Sequence, residues 1–206
     1  MAGTGRPPDG RGRWRAARSG RRAAAGPVGH GAEEVTMPVA DTLLTPRLVL
    51  RRPRAGDLDA YRAYCAGPRS GFVGGPFSAV QAFDKLAAMA GHWVLRGYGR
   101  YVLERNGAAI GHAGPMRLDD AQPPEMTWTL WTAEAEGQGL ATEAARAVLA
   151  HLLVDCHWPS LIARIDPANT ASVRLAERLG ATRSDAPPPD WAPTVQTWTF
   201  GAEALA

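Results

Sequence analysis

The spacing of apolar and polar residues changes several times along this chain, and each change predicts an element. Arg47–Arg52 (RLVLRR) alternates apolar and basic side chains and is closed by Pro53, which predicts a strand. Asp57 stands as the N-cap of a helix reaching about Ala66, with Gly67-Pro68 as its stop. Arg69–Phe77 (RSGFVGGPF) reads as a glycine-rich loop. Ser78 followed by Gln81 is a capping-box pattern for a second helix, ending near Leu95. Arg100–Arg105, the turn Asn106-Gly107 and Ala108–Gly114 predict a hairpin. Glu125–Trp131 (EMTWTLW) has strict period two and reads as a strand. Ala141–Cys156 places Ala141, Ala145, Val148, Leu149, Leu152 and Leu153 on one stripe of a helix. Ser160–Asp166 is a strand. Asn169–Leu179 is a helix with Asn169 as N-cap and Gly180 as its C′ glycine. After the proline-rich loop Ser184–Asp190, Thr194–Phe200 alternates as a last strand.

The order is β-α-α-β-β-β-α-β-α-β. A meander comes first and a βαβ-like crossover follows. The fold class expected is therefore α+β, a three-layer arrangement with a mixed central sheet and helices on both faces.

Residues 1–36 do not share this periodicity. They are rich in Gly, Ala, Pro and Arg and hold seven Arg against three acids. The extension thus carries +4 of a whole-chain charge of +3, which leaves the body at −1. A basic nucleic-acid-binding body loses its support, because the positive charge sits in the extension alone. With Trp14 as its only large hydrophobe, that extension is expected to be disordered. Arg21-Arg22 is followed by no apolar segment, which argues against an export signal. Met37 follows directly and is an alternative start, so the extension reads as dispensable sequence rather than a binding arm. Residues 37–206 are then one domain, long enough to bury a core. The chain holds no apolar run of membrane-spanning length. Two cysteines, Cys65 and Cys156, give neither a disulfide framework nor a metal cluster, so a cytoplasmic protein without a metal is expected.

The chemistry concentrates where the period-two strand ending near Trp131 meets the long helix. Between them lies Glu136-Gly137-Gln138-Gly139-Leu140-Ala141. Glycines let successive backbone N–H groups turn toward one point, and the helix start adds unbonded donors and a positive dipole end. This composition suits an anion cradle for a phosphate or pyrophosphate. It also suits an ordinary tight strand-to-helix turn. It is neither GxGxxG nor a P-loop. Further on, Asp166-Pro167-Ala168-Asn169 is a strand–cap–helix unit with a structural explanation for every residue.

Taken in order, Gly137-Gln138-Gly139-Leu140-Ala141-Thr142-Glu143-Ala144, Asp166–Val173 and Glu177-Arg178-Leu179-Gly180-Ala181 resemble the GNAT acetyltransferase superfamily. The branch that looks most similar is the bacterial ribosomal-protein N-terminal acetyltransferase type, RimJ/RimL-like. Leu43-Leu44-Thr45-Pro46-Arg47-Leu48-Val49-Leu50-Arg51 is similar to the first strand of that branch. Arg69–Pro76 and Gly91–Gly99 look like a subgroup of it. The resemblance spans about Leu43–Phe200.

It implies the acyl-CoA acyltransferase fold, with two parallel strands splayed at the cofactor cleft, here Glu125–Trp131 and Ser160–Asp166. It implies acetyl-CoA as co-substrate. Backbone amides of Gly137, Gln138, Gly139, Leu140, Ala141 and Thr142 would hold the pyrophosphate. The pantetheine arm would lie by Leu130, Trp131 and Thr132, bonding strand backbone as an added strand does. Asn169 would help place the cofactor near its thioester.

Two positions depart from the family pattern. The first loop position is Glu136 in place of Arg, Gln or Trp, and a carboxylate there is unfavourable unless it turns to solvent. Seven residues after Asn169, where many members carry a Tyr that protonates the departing thiolate, stands Ala176. Ser172 is the candidate substitute, or else a residue satisfying the helix end. For the base, Glu125 shares the polar face of its strand with Thr127 and Thr129. It is either that base or a solvated strand-end carboxylate. Residues of Arg69–Phe77 and around Trp93 would shape the acceptor pocket, although His92 and Trp93 read equally as packing. His112 reads as a structural histidine. Cys65 and Cys156 have no evident base, which argues against an acyl-cysteine route.

The function expected is N-acetyl transfer to a primary amine, of a protein N-terminus or a small molecule, by direct attack in a ternary complex. The alternative is a non-catalytic acetyl-CoA-binding sensor. The expected partners are the amine acceptor alone, with no membrane and no nucleic acid, in a monomer or homodimer.

Overall fold

The computed structural model describes residues 38–190 and 192–205. The expectations for residues 1–36 lie outside that range. Eight strands form one sheet in the order β1-β2-β3-β4-β5-β6-β8-β7. They are β1 (Thr42–Leu44), β2 (Val49–Arg51), β3 (Tyr101–Arg105), β4 (Ala108–Met116), β5 (Glu125–Leu130), β6 (Leu161–Ile165), β7 (Thr182–Arg183) and β8 (Gln196–Phe200). All neighbours are antiparallel except β5 and β6. The helices are α1 (Leu58–Ala66), α2 (Ala79–Arg96), α3 (Leu140–Ala150) and α4 (Thr170–Arg178). Among the described residues no helix is long and apolar enough to cross a membrane.

The sheet alternation divides the core in two. Tyr101 and Leu103 of β3 are buried with Leu140, Val148, Leu149 and Leu175 of α3 and α4. Val102, between them, is buried with Tyr61, Tyr64, Cys65, Ala82, Leu86 and Met89 of α1 and α2. Helices therefore cover both faces, as expected for this fold class. The α3 stripe is fully buried at Leu140, Val148 and Leu149, as is Leu152 just beyond it. Each such aliphatic side chain contributes about 1.5–3 kcal/mol.

Local signals produced most of the elements. The capping box of α2 is formed in both directions, Gln81 N–H to Ser78 Oγ at 3.2 Å and Ser78 N–H to Gln81 Oε1 at 2.9 Å. Asn106 and Gly107 take φ of 51° and 80°, the pair of positive values a type I′ hairpin needs.

Other readings are corrected. Asp57 stands at the N-cap position of α1 as expected, but its carboxylate makes no bond to the helix start; it is buried and accepts from Arg51 Nη1 and Nη2 at 2.9 and 2.6 Å and from Arg54 N–H at 2.8 Å. Arg47 and Leu48 belong to a turn, and the strand begins at Val49. Part of Arg69–Phe77 is wound into a 3-10 turn, Pro68–Val73. The hairpin's second strand continues past Gly114 to Met116 because β5 pairs with it from Gly111 to Met116. The helix expected to reach Cys156 is regular only to Ala150; His151–Asp155 forms a wider π-type turn. There His151 Nε2 accepts from Ala40 N–H at 2.9 Å. β1 and β7 are additional short strands.

Candidate active site

The site begins with backbone. A short 3-10 turn, Ala133–Ala135, leads from β5 into the loop before α3. Gly137 and Gly139 lie at φ of 69° and 73°, where a Cβ costs about 1–2 kcal/mol. The N–H groups of Gly137, Gln138, Gly139, Leu140, Ala141 and Thr142 make no hydrogen bond to a described residue. Gly139 is the N-cap of α3 and has no side chain to satisfy them. A row of free donors at the positive end of an eleven-residue helix is suited to a pyrophosphate.

Side chains far away in sequence hold that loop still. Glu143, on the first turn of α3, accepts from Thr45 Oγ1 at 2.6 Å, Arg47 N–H at 3.0 Å and Arg47 Nε at 2.6 Å. Arg47 Nη1 also donates to Gln138 O at 2.8 Å, and Arg105 Nη1 to Gln138 Oε1 at 2.7 Å. Burial would raise the Glu143 carboxyl; the bonds from Thr45 and Arg47 outweigh it and hold the group below its ordinary value. These bracing residues escape a reading of local pattern, although the Thr-Pro-Arg run was visible.

The cleft lies beside the cradle. β4 and β5 pair at six positions, whereas β5 and β6 pair only at Glu125 and Ile162. Ile162 N–H donates to Pro124 O at 3.1 Å. Beyond that point the two strands part. Backbone groups alternate along a strand, so those of Trp128 and Leu130 lie on the same open edge as Pro124 O. Trp131 N–H points the other way, to Ile110 O at 2.7 Å. Arg69 reaches across the cleft mouth, pairs with Glu136 and comes within 3.5 Å of Leu130 O. Glu136 thus turns to solvent, its side chain 59% exposed, and there pairs with Arg69.

On the α3–α4 side of the cleft, Trp128 Nε1 donates to Ser172 Oγ at 3.1 Å. Ser172 N–H donates to Asn169 Oδ1 at 3.2 Å. With Oγ accepting from the indole, the hydroxyl proton is left to donate elsewhere. Ala176, one turn on, is fully buried.

On the α1–α2 side, Glu125 lies near the closed end of the cleft and accepts from Arg164 Nη1 at 2.9 Å. Burial raises the Glu125 carboxyl above its ordinary value, against the pull of Arg164 and Arg100. Thr127 and Thr129 share its face and donate to Gly114 O and Trp128 O. Tyr61, Tyr64 and Trp131 pack together above, the Tyr61 and Trp131 rings 5.1 Å apart. Trp131 Nε1 donates to His112 Nδ1 at 2.9 Å, and burial holds that imidazole neutral.

His92 and Trp93 serve packing. His92 Nδ1 donates to Tyr98 O, Arg117 N–H donates to His92 Nε2, and Trp93 Nε1 donates to Arg100 O. Burial raises the thiols of Cys65 and Cys156, which makes them poor nucleophiles.

Comparison with known proteins gives the class. The acetyltransferase (GNAT) domain model matches residues 47–182. The chain belongs to this acetyltransferase family. The acetyltransferase from Agrobacterium tumefaciens str. C58 superposes with a TM-score of 0.72 at 29% identity, over 84% of this chain and 99% of that one. RimL, a ribosomal L7/L12 alpha-N-protein acetyltransferase solved with coenzyme A, shares the fold at a TM-score of 0.60 and 14% identity. That match covers 78% of this chain and 97% of RimL. The Bacillus subtilis (strain 168) protein YkkB is 33% identical over 79 residues, 37% of this chain and 45% of YkkB. The chain therefore matches under half the length of that curated relative.

Proposed function

We propose that this protein transfers the acetyl group of acetyl-CoA to a primary amine. The observation that carries the reading is the parted β5–β6 pair opening beside the free N–H groups of Gly137–Thr142. The cradle suits the pyrophosphate. The open edge at Trp128 and Leu130, with Thr132 beyond it, suits the amides of the pantetheine arm. Asn169 stands at the start of α4 with its side-chain amide donors uncommitted to any described residue.

The amine attacks the thioester carbonyl directly; the C–N bond forms and the C–S bond breaks. Glu125 takes the ammonium proton, directly or through water, and its raised pKa suits a base working closer to neutrality. Ser172 donates its hydroxyl proton to the leaving sulfur, with Trp128 fixing the oxygen.

Calorimetry with acetyl-CoA, followed by thiol release with a panel of amines and peptides, tests this. Micromolar binding with amine-dependent thiol release is the expected result. Binding without release from any amine favours the sensor reading, which the buried Ala176 at the acid's usual place supports.

A further inference from the structure

The acceptor face carries a guanidinium that its own carboxylate does not bond. Val102 of β3 faces α1 and α2, and Arg100, two residues earlier, stands in the same alternation. β3 pairs Val102 with His112, so Arg100 and His112 are diagonal neighbours on the face that Glu125 of β5 shares; the Arg100 charge adds to the burial that lowers the His112 pKa and opposes the burial that raises that of Glu125. The guanidinium makes no hydrogen bond and no ion pair with any described residue. Glu125, the nearby carboxylate, is bonded to Arg164. An ammonium entering beside the Arg100 guanidinium is repelled unless it brings an anion of its own.

A second donor stands next to the first. His112 Nδ1 accepts from Trp131, so the proton of the neutral ring is on Nε2. No described residue accepts it. The Tyr61 ring lies 6.2 Å from the imidazole and closes the side toward α1.

Building on acetyl transfer as the activity, we propose that Arg100, with His112 Nε2–H beside it, binds a carboxylate carried by the acceptor. The acceptor is then a primary amine bearing a carboxylate, as in a free amino acid or a peptide that begins with Asp or Glu. A fork of guanidinium donors fits a carboxylate in two-point contact, and the neutral imidazole adds a donor without adding charge.

The test compares matched amines in thiol release with acetyl-CoA: free amino acids against their decarboxylated amines, and peptides beginning with Asp or Glu against those beginning with Asn or Gln. The pair that shows the preference identifies the source of the carboxylate. The wild-type protein should favour the carboxylate member by roughly 10–10²-fold in kcat/KM, as expected for a charged hydrogen bond. In Arg100→Gln that ratio should fall toward one, and Arg100→Lys should restore part of it. Acetyl-CoA affinity, measured in parallel, reports that the variants are folded. Equal turnover of both members by the wild type, or equal losses on both in Arg100→Gln, overturns the proposal and leaves acetyl transfer standing. Should acetyl-CoA bind and no amine release thiol, the transfer reading fails. The same amine pairs titrated calorimetrically with CoA present then decide the recognition, and equal heats within a pair overturn it.

Discussion

Glu143 offers the sharpest quantitative test of how the cradle is held. In Glu143→Ala the hydroxyl of Thr45 and the N–H of Arg47 lose their acceptor, and the guanidinium of Arg47 loses its partner. The two bonds to a carboxylate with 15% side-chain exposure contribute about 1 kcal/mol each. The ion pair, in which the Arg47 side chain is 42% exposed, adds only about 0.5 kcal/mol after solvent screening. A loss of about 2–3 kcal/mol lowers the melting temperature of a body this size by about 4–12 °C. The sign of the pH dependence follows from the lowered carboxyl pKa of the folded protein. The stabilisation is present above the ordinary value of 4.5 and is lost as pH falls through the lower folded value. Wild type and variant should therefore converge in strong acid. Arg47 also holds Gln138 O, so a loosened Arg47 frees the loop, and acetyl-CoA should bind about tenfold more weakly, about 1.4 kcal/mol. Differential scanning calorimetry and titration calorimetry read the two effects. A melting temperature within about 2 °C of wild type, with an unchanged Kd, would refute the bracing argument.

Gly137→Ala should cost about 1–2 kcal/mol from its positive φ alone, since a Cβ there meets nothing within 4 Å, and denaturant titration measures it. Gly139→Pro removes a donor and should abolish acetyl-CoA binding in calorimetry while circular dichroism stays native. Glu125→Gln should lower turnover by roughly 10²–10⁴-fold near neutral pH, with the rising limb of the wild-type pH profile lying above 4.5. Ser172→Ala should cost less, because a CoA thiol leaves tolerably even unprotonated; retention of more than half the activity in Glu125→Gln removes Glu125 as base. Asp57→Ala removes the acceptor of Arg51 Nη1 and Nη2 and of Arg54 N–H at a site where the Asp57 side chain is 2% exposed, leaves Arg51 its bond to Glu104, and should cost about 2–3 kcal/mol in urea unfolding.

Much of this protein is written locally. The two-residue period of Glu125–Trp131, the capping box at Ser78 and Gln81, and the positive-φ turn at Asn106-Gly107 each depend on neighbours a few residues away. The structure reproduces them within a residue or two. The same holds for the glycine loop before α3, because only a run with Gly137 and Gly139 turns its N–H groups outward at little cost. The faces of β5 were legible too, since alternation alone separates Glu125, Thr127 and Thr129 from Met126, Trp128 and Leu130.

Tertiary structure decided what long-range partners decide. β1 and β7 are too short to carry a period, and exist because β2 and β8 offer them an edge. Asp57 holds the cap position that the local pattern predicts, but its carboxylate bonds Arg51 rather than the helix start, since an ion pair shielded from water outweighs that local hydrogen bond. Glu136 turns to solvent as a charge at that loop position should, and only the fold brings Arg69, 67 residues away in sequence, to meet it there. The parting of β5 from β6 after a single registered pair leaves no mark on either strand's sequence, because each strand pairs normally along its other edge. Hydrophobic period reports only which face a residue shows. Which charges meet, and where two strands stop meeting, depends on distances between segments far apart in the chain.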